Sequence, residues 1–460
     1  MSRRFDAIIV GTGQAGPPLA GRLTAAGMTV AIVERKHVGG TCVNTGCKPT
    51  KTMVASAYAA HMARRAADFG VKLGGGTVGV DMKAVKARKD AVALGSRKDL
   101  ETWLAGMEKC TFLRGHARLA SPRSVTVDGE TLEAERIFLN VGGRALVPDL
   151  PGIDQISPLT NTSILELDTL PEHLVVVGGS YIGLEFAQMF RRFGSNVTVI
   201  EKGPRLIGRE DADVSDAIRD FLEAEGIAVR LAAECIRFAG HPAGATVGVD
   251  CETGAPELTG SHVLLAMGRR PNTDDLGVEA AGLKLDPRGF IPVDEQLRTE
   301  VEGIWALGDC NGKGAFTHTA YNDFEIVAAN LLDDDPRKVS DRIQTYGLFV
   351  DPPLGRAGMT EAEARQSGRR LLVGQRPMTR VGRAVEKGET LGFMKVLVDA
   401  DSQEILGAAI LGTGGDEVVH ALLDAMYAKA PSTVVRRAMH IHPTVSELLP
   451  TMLGELKPLA

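Results

Sequence analysis

Ala7 to Val10 form an unbroken apolar run that leads straight into Gly11-Thr-Gly13-Gln-Ala-Gly16 and then an Ala/Leu-rich stretch. A half-exposed strand alternates apolar and polar positions, so an unbroken run predicts a strand covered on both faces, as in a parallel sheet. A second run, Thr29 to Val33, ends on Glu34. Strand, glycine loop, helix and strand in this order make a dinucleotide fingerprint. Gly11 permits the tight turn, Gly13 admits a pyrophosphate close to the backbone, Gly16 lets helix and strand pack, and Glu34 reaches a ribose hydroxyl. Pro17 and Pro18 fit this reading only within the first helical turn, where a missing N–H has no intrahelical acceptor.

The arrangement recurs. Leu174 to Val177 lead into Gly178-Gly179-Ser180-Tyr181-Ile182-Gly183, and the strand Asn196 to Ile200 ends on Glu201. Ser180 stands where the middle glycine is usual, a small residue that still permits close approach. Two such units imply two dinucleotides. Further strands are predicted over His262 to Ala266, ending in Met267-Gly268-Arg-Arg-Pro-Asn272, and over Gly303 to Leu307, ending in Gly308-Asp309-Cys310. From about Gln344 the pattern changes to mixed strands and helices, including Gly392 to Val398, Ile405 to Gly412 and a long helix from Glu417. The fold class expected is α/β, with two Rossmann-like units and a separate C-terminal α+β domain.

A length of 460 residues suits about three domains, and 44% hydrophobic with 24% charged residues is ordinary for such a protein. The formal charge of −6 comes from interspersed acids and bases, so nucleic acid is not an expected partner. Arg3-Arg4 opens the chain like a twin-arginine signal, but the apolar run behind it stops at the glycine loop. No stretch approaches the roughly 18 apolar residues that span a bilayer, and a cytoplasmic location away from membranes is expected. The six cysteines do not suggest a disulfide framework, and only two are closely spaced.

Those two lie in Gly39-Gly40-Thr41-Cys42-Val-Asn-Thr-Gly-Cys47-Lys48-Pro49-Thr50-Lys51, at the start of a predicted helix. A helix N-terminus stabilises a thiolate, the reactive form of cysteine, and the spacing allows a disulfide within the segment. A zinc site would need a second cysteine pair or histidines at ligand spacing, which the neighbourhood lacks, so no metal site is expected. Near the other end, His440-Ile-His442-Pro443-Thr444-Val-Ser446-Glu447 supplies an imidazole and a carboxylate that can hold it in one tautomer. Alone, a histidine beside a proline is an ordinary loop residue.

Together these motifs, in this order over essentially the whole chain, resemble the class I pyridine nucleotide-disulfide oxidoreductases, the group of glutathione reductase, dihydrolipoamide dehydrogenase and mercuric reductase. The resemblance implies an FAD-dependent homodimeric enzyme. Residues 1–148 and 271–342 would bind FAD, 149–270 NAD(P)H, and 343–460 would form the dimerisation domain. FAD would meet Gly11, Gly13, Gly16, Glu34, Gly40, Thr41, Lys51, Gly115, Ala117, Gly142 and Asp309. NAD(P)H would meet Gly178, Gly179, Ser180, Tyr181, Ile182, Gly183, Glu201 and Gly268, with Tyr181 as the lid that the nicotinamide displaces. Cys47 would lie against the flavin, Cys42 would meet substrate, Lys51 and Glu185 would form an ion pair beside the flavin, and His442–Glu447 would serve the dithiol of the other subunit.

The active-site segment looks most like mercuric reductase-like proteins and related flavoproteins of reactive-chlorine resistance. True mercuric reductases carry vicinal cysteines near the C-terminus, whereas this chain has none after Cys310. An N-terminal metal-binding domain is likewise not expected, because the first strand begins almost at once. The acceptor is a small disulfide, lipoamide, a metal ion such as copper(II) or mercury(II), or an oxidant. Glu201 favours NADH, while Lys202, Arg205 and Arg209 beyond it could serve the 2′-phosphate of NADPH. Dihydrolipoamide dehydrogenase is one alternative. A flavoprotein redox sensor is another, although a sensor needs no second proton shuttle such as His442–Glu447.

Overall fold

The computed structural model describes residues 2–250 and 254–459. The first layer is built from β1 (Ser2–Val10), α1 (Gly16–Ala25), β2 (Val30–Glu34), α2 (Gly40–Asn44), α3 (Cys47–Arg64), α4 (Met82–Ala105), β3 (Cys110–Arg114), β4 (Ala117–Ser121), β5 (Ser124–Val127) and β6 (Glu130–Leu139). Its strands run in the order β3-β2-β1-β6-β5-β4. β1 pairs in parallel with β2 and β6, so Val10 lies opposite Val33 and Leu139. Ile8 and Val10 enter one core, Ala7 and Ile9 the other. Both faces are covered, which explains the unbroken apolar run. Pro17 and Pro18 fall within the first turn of α1, where the sequence needed them to be.

The chain continues through β7 (Gly143–Ala145), β8 (His173–Val177), α5 (Tyr181–Phe193), β9 (Asn196–Ile200), α6 (Ala212–Ala224) and β10 (Ile227–Arg230). An antiparallel meander of β11 (Glu234–His241), β12 (Gly244–Asp250) and β13 (Glu257–Gly260) precedes β14 (His262–Leu265) and β15 (Arg269–Pro271). Here the parallel order is β10-β9-β8-β14, with Leu174 and Val176 facing the Phe186 and Phe190 side of α5 and Val175 and Val177 facing the meander. The path then returns. β16 (Ile304–Ala306) pairs in parallel with β6, and α7 (Thr317–Ala328) packs with α1 in one core. The second nucleotide unit is therefore inserted within the first.

The C-terminal part comprises β17 (Thr345–Leu348), β18 (Leu354–Gly358), α8 (Glu361–Gln366), β19 (Leu371–Pro377), α9 (Gly382–Glu386), β20 (Phe393–Asp399), β21 (Ile405–Leu411), α10 (Gly415–Tyr427) and β22 (Lys457–Pro458). Its strands form an antiparallel sheet in the order β17-β18-β21-β20-β19-β22. The strands expected from Gly392 and Ile405 appear as β20 and β21, and the helix expected from Glu417 begins at Gly415, within the usual scatter of helix ends. Among the described residues no helix is long and apolar enough to cross a membrane.

Candidate active site

Cys42 lies on the single turn of α2, and Cys47 opens α3. Between them Gly46 passes so close to α2 that a Cβ there would meet the Thr41 carbonyl oxygen at 2.8 Å. The missing side chain lets the start of α3 fold back and set the two free thiols in hydrogen-bonding contact. The first residue of α7, Thr317, brings its hydroxyl to 3.1 Å from Cys47 Sγ. The hydrogen bond from Cys42, then that from Thr317 and the charge of Lys51, hold the Cys47 thiol down to about 6 against the opposing effect of burial. Cys42 is pushed well up because it donates to Cys47 and is partly buried. At neutral pH the pair is thus a thiolate at Cys47 and a thiol at Cys42.

One turn further along α3, Lys51 Nζ donates to Glu185 Oε2 at 2.7 Å and lies 4.5 Å from the Phe349 ring centre. The Phe349 N–H donates to the other Glu185 oxygen at 3.1 Å, so this buried carboxylate is satisfied on both sides. Tyr181, four residues before Glu185 on α5, packs against Phe316 with ring centres 5.4 Å apart. Phe316 in turn stacks on His318 and Tyr346 at 5.3 and 5.8 Å. Arg209 lies 5.9 Å from the Tyr181 ring and 5.6 Å from that of Tyr346, whose hydroxyl donates to buried Glu210. Arg209, which the sequence offers to a 2′-phosphate, is engaged at this aromatic cluster. Sequence reading missed Thr317, Phe349, Phe316 and Tyr346, because nothing in the spacing of the chain links them to a cysteine pair some 270 residues earlier.

The two glycine loops share one geometry. Gly11 and Gly178 have φ of +106° and +117°, and a Cβ on either would strike the carbonyl oxygen of Asn140 or Ala266 at 2.2 or 2.4 Å. Ser180 has an extended backbone with φ of −106°, so no glycine is required there. Glu34 accepts from the Thr12 N–H and hydroxyl at 3.1 and 2.7 Å, and Glu201 accepts from the Gly179 and Gly203 N–H groups at 2.6 and 2.7 Å. Each carboxylate braces its own loop and keeps further lone pairs free. Gly183 closes the second loop against the Gly178 carbonyl, and Ile182 packs on the adjoining core.

The first loop fits a dinucleotide such as FAD. Asn140 Nδ2 is buried without a partner among the described residues, and it points at Gly13 and Gly16, where a Cβ would lie 3.2 Å from it. Gly142 and Gly268 have positive φ and open space where a Cβ would stand. Gly40 approaches Gly13, with a Cβ reaching 2.9 Å from its Cα, and neighbouring Thr41 is exposed. Asp309 is half-buried, its carboxyl pushed up by burial and pulled back by Arg269 at 3.4 Å. Gly115 follows β3 and hydrogen-bonds through its N–H to the Glu34 carbonyl at 3.0 Å, and Ala117 is buried at the start of β4. His442 stands apart. Its Nδ1 meets Glu447 Oε2 at 2.8 Å, its side chain is 80% exposed, and no hydrogen bond or ion pair joins it to Cys42 or Cys47 within the chain. Neighbouring Met439 and Ile441 are 99% and 79% exposed.

Comparison with known proteins agrees with this geometry. RclA of Escherichia coli, described as a probable pyridine nucleotide-disulfide oxidoreductase, is 35% identical over 99% of this chain and 100% of its own length. A dihydrolipoyl dehydrogenase of Thermus scotoductus is 32% identical over 97% and 96%, and a mercuric reductase of Streptomyces lividans 34% over 97% and 94%. The solved structure of RclA, described as an HOCl-induced flavoprotein disulfide reductase, matches with a TM-score of 0.89 over 98% of this chain and 100% of that one, and RclA is also solved as a Cu(II) complex. Residues 5–323 match the profile of the pyridine nucleotide-disulphide oxidoreductases, and residues 345–453 match that of their dimerisation domain. The chain therefore belongs to the pyridine nucleotide-disulphide oxidoreductase family, whose members are flavin-dependent enzymes that use NAD(P)H.

Proposed function

We propose that this enzyme passes two electrons from NADH to the Cys42–Cys47 pair and on to a small disulfide. The observation that carries this reading is the placement of the dithiol: free Cys42 on α2 and free Cys47 at the start of α3, with the Thr317 hydroxyl 3.1 Å from Cys47 Sγ and Lys51, held by Glu185 at 2.7 Å, one turn along. FAD supplies the step between hydride and thiol chemistry. Residues 1–148 and 271–342 are assigned to FAD, 149–270 to the nicotinamide dinucleotide and 343–460 to the dimer contact. Lys51 is a positive charge held in place by Glu185, and Tyr181 covers the nicotinamide side.

Cys42, once deprotonated, attacks one sulfur of the acceptor, forming a mixed disulfide and releasing the first thiol. Cys47 then attacks the Cys42 sulfur, so the Cys42–Cys47 bond re-forms and the second thiol leaves. One NADH and one proton are consumed for each disulfide reduced to two thiols. Glu447 holds His442 Nδ1, which leaves Nε2 of that ring to take the Cys42 proton and return it to the departing sulfur. A dithiol that cycles in this way suits a reducing compartment, and the cytoplasm is the proposed location.

A metal ion is the second reading, favoured by the Cu(II) complex of RclA and by the sulfur donors of the pair. Cys42→Ser tests the main proposal. The variant is expected to keep its flavin and its reduction by NADH under anaerobic conditions, to show a long-wavelength absorption band, and to lose reduction of every disulfide acceptor. Undiminished turnover with disulfides would remove Cys42 from the mechanism.

A further inference from the structure

The charge of the chain is unevenly placed around the dithiol. α3 carries three Lys/Arg and no carboxylate, and α4 carries six Lys/Arg against three Asp/Glu. These two helices, packed together, hold a formal charge of +6 within a chain whose total is −6. Three of the cations border the dithiol segment and are fixed by neutral groups. Lys48, directly after Cys47, donates to Ser96 Oγ at 2.8 Å. Arg97 donates to the side-chain oxygen of Asn44, two residues past Cys42, at 2.8 Å. Arg88 donates to the Thr52 carbonyl at 2.6 Å and faces Ser56 Oγ at 3.3 Å.

Among the described residues no carboxylate pairs with Lys48, Arg88 or Arg97, whereas Lys51, Lys86 and Lys89 on the same helices all have acidic partners. A cation oriented by a hydroxyl or an amide keeps its net charge, while one paired with a carboxylate does not. Its field therefore reaches whatever approaches the thiols, drawing in anions and repelling cations. Holding a long side chain in one conformation costs entropy, which an anionic ligand on the same side chain can offset.

We infer that Lys48 and Arg97 recognise an acceptor that carries negative charge, a small carboxylate-bearing disulfide, and that they disfavour a free divalent metal cation. The inference rests on the dithiol reading above and specifies its substrate class. The chemistry is unchanged: the acceptor S–S bond takes up two electrons and two protons and leaves as two thiols, while the Cys42–Cys47 bond re-forms. Lys48 and Arg97 bind the acceptor's charged groups and take no part in the exchange.

The test uses the flavin-loaded dimer with NADH under anaerobic conditions and four acceptors: glutathione disulfide as the anion, lipoamide as the neutral disulfide, cystamine as the cation, and Cu(II) chloride. Glutathione disulfide is expected to outrun cystamine and Cu(II). Lys48→Met and Arg97→Gln should each lower the ratio of kcat/KM for glutathione disulfide over lipoamide by about fivefold, mainly through KM, as expected of an ion pair at the rim of a site. Lys48→Arg should restore the ratio. Added salt should depress the reaction of glutathione disulfide and spare that of lipoamide. A ratio unmoved in both variants, or Cu(II) or cystamine as the best acceptor, would overturn the inference while leaving the dithiol chemistry standing. Reduction of the flavin by NADH without reduction of any disulfide would instead sink the dithiol reading, and this inference with it.

Discussion

The acidity of Cys47 is assembled from three groups on two distant stretches of chain. Cys42 comes from the turn before it, Lys51 from the next turn of α3, and Thr317 from the start of α7, while burial and, less, Glu185 oppose the shift. A thiol whose ordinary value is 9.0 and whose value in the protein is about 6 is charged above pH 6 and loses that charge as pH falls through this value. The long-wavelength absorption of the two-electron-reduced enzyme is therefore expected to rise with pH around a midpoint near 6. Thr317→Val should move the midpoint upward by about one pH unit, the worth of one hydrogen bond to a charged acceptor. Absorption that stays level from about pH 5 to about pH 8 would show that Cys47 is not the titrating thiol. The cysteine pair is legible in its own short segment, whereas the pairing of Lys51 with Glu185 is implied only by the resemblance to the family. Thr317 is not legible, because its place depends on a return of the chain to the first sheet after about 270 residues.

Elements, like residues, are held by contacts that local pattern does not reveal. The start of α6 meets β18 and β20 through buried charge: Arg356 lies 3.2 Å from Asp211 and 3.5 Å from Glu210, and Lys395 lies 3.3, 3.0 and 2.8 Å from Asp211, Asp213 and Glu361. Because Glu210 also accepts the Tyr346 hydroxyl, the same cluster braces the aromatic group around Tyr181. Removing one member strands charge in a dry site. Arg356→Met is expected to destabilise the protein by about 3–5 kcal/mol, read as a lower urea midpoint for loss of the C-terminal sheet, with a smaller loss for Arg356→Lys. An unchanged midpoint would mean that water reaches these carboxylates. The strands on either side of each glycine loop could be read from their apolar runs, which a sheet covered on both faces requires. The bridge between α6 and the C-terminal sheet could not, since Arg356 and Asp211 are 145 residues apart and single charged positions carry no periodic signal. Lys48, directly after Cys47, stands out in the sequence as a group that could assist thiolate formation or favour an anionic substrate, but the wider basic surface does not, because the other cations of α3 and α4 are spread among small and apolar positions and become one surface only when the helices pack.

At the scale of the whole molecule, the His442–Glu447 pair and the dithiol it is proposed to serve lie far apart in sequence and do not touch within one chain. His442 projects from the C-terminal part with its side chain 80% exposed, just after the exposed apolar residues Met439 and Ile441 in the chain. Large exposed apolar side chains around a polar group are what a subunit contact covers. Residues 345–453, which include this segment, match a dimerisation domain. If each site takes its dithiol from one chain and His442–Glu447 from the other, then Cys42→Ser and His442→Ala homodimers should each fail to reduce disulfides. Mixing them and allowing subunits to exchange should restore activity. In a heterodimer one site carries both lesions and the other carries neither, so turnover per heterodimer should approach half that of the wild type. A site contained within one subunit recovers nothing, since every chain still bears one lesion. Subunit exchange can be followed independently by tagging one variant, so that a mixture which has exchanged and remains inactive places His442 and the two cysteines at a single-chain site.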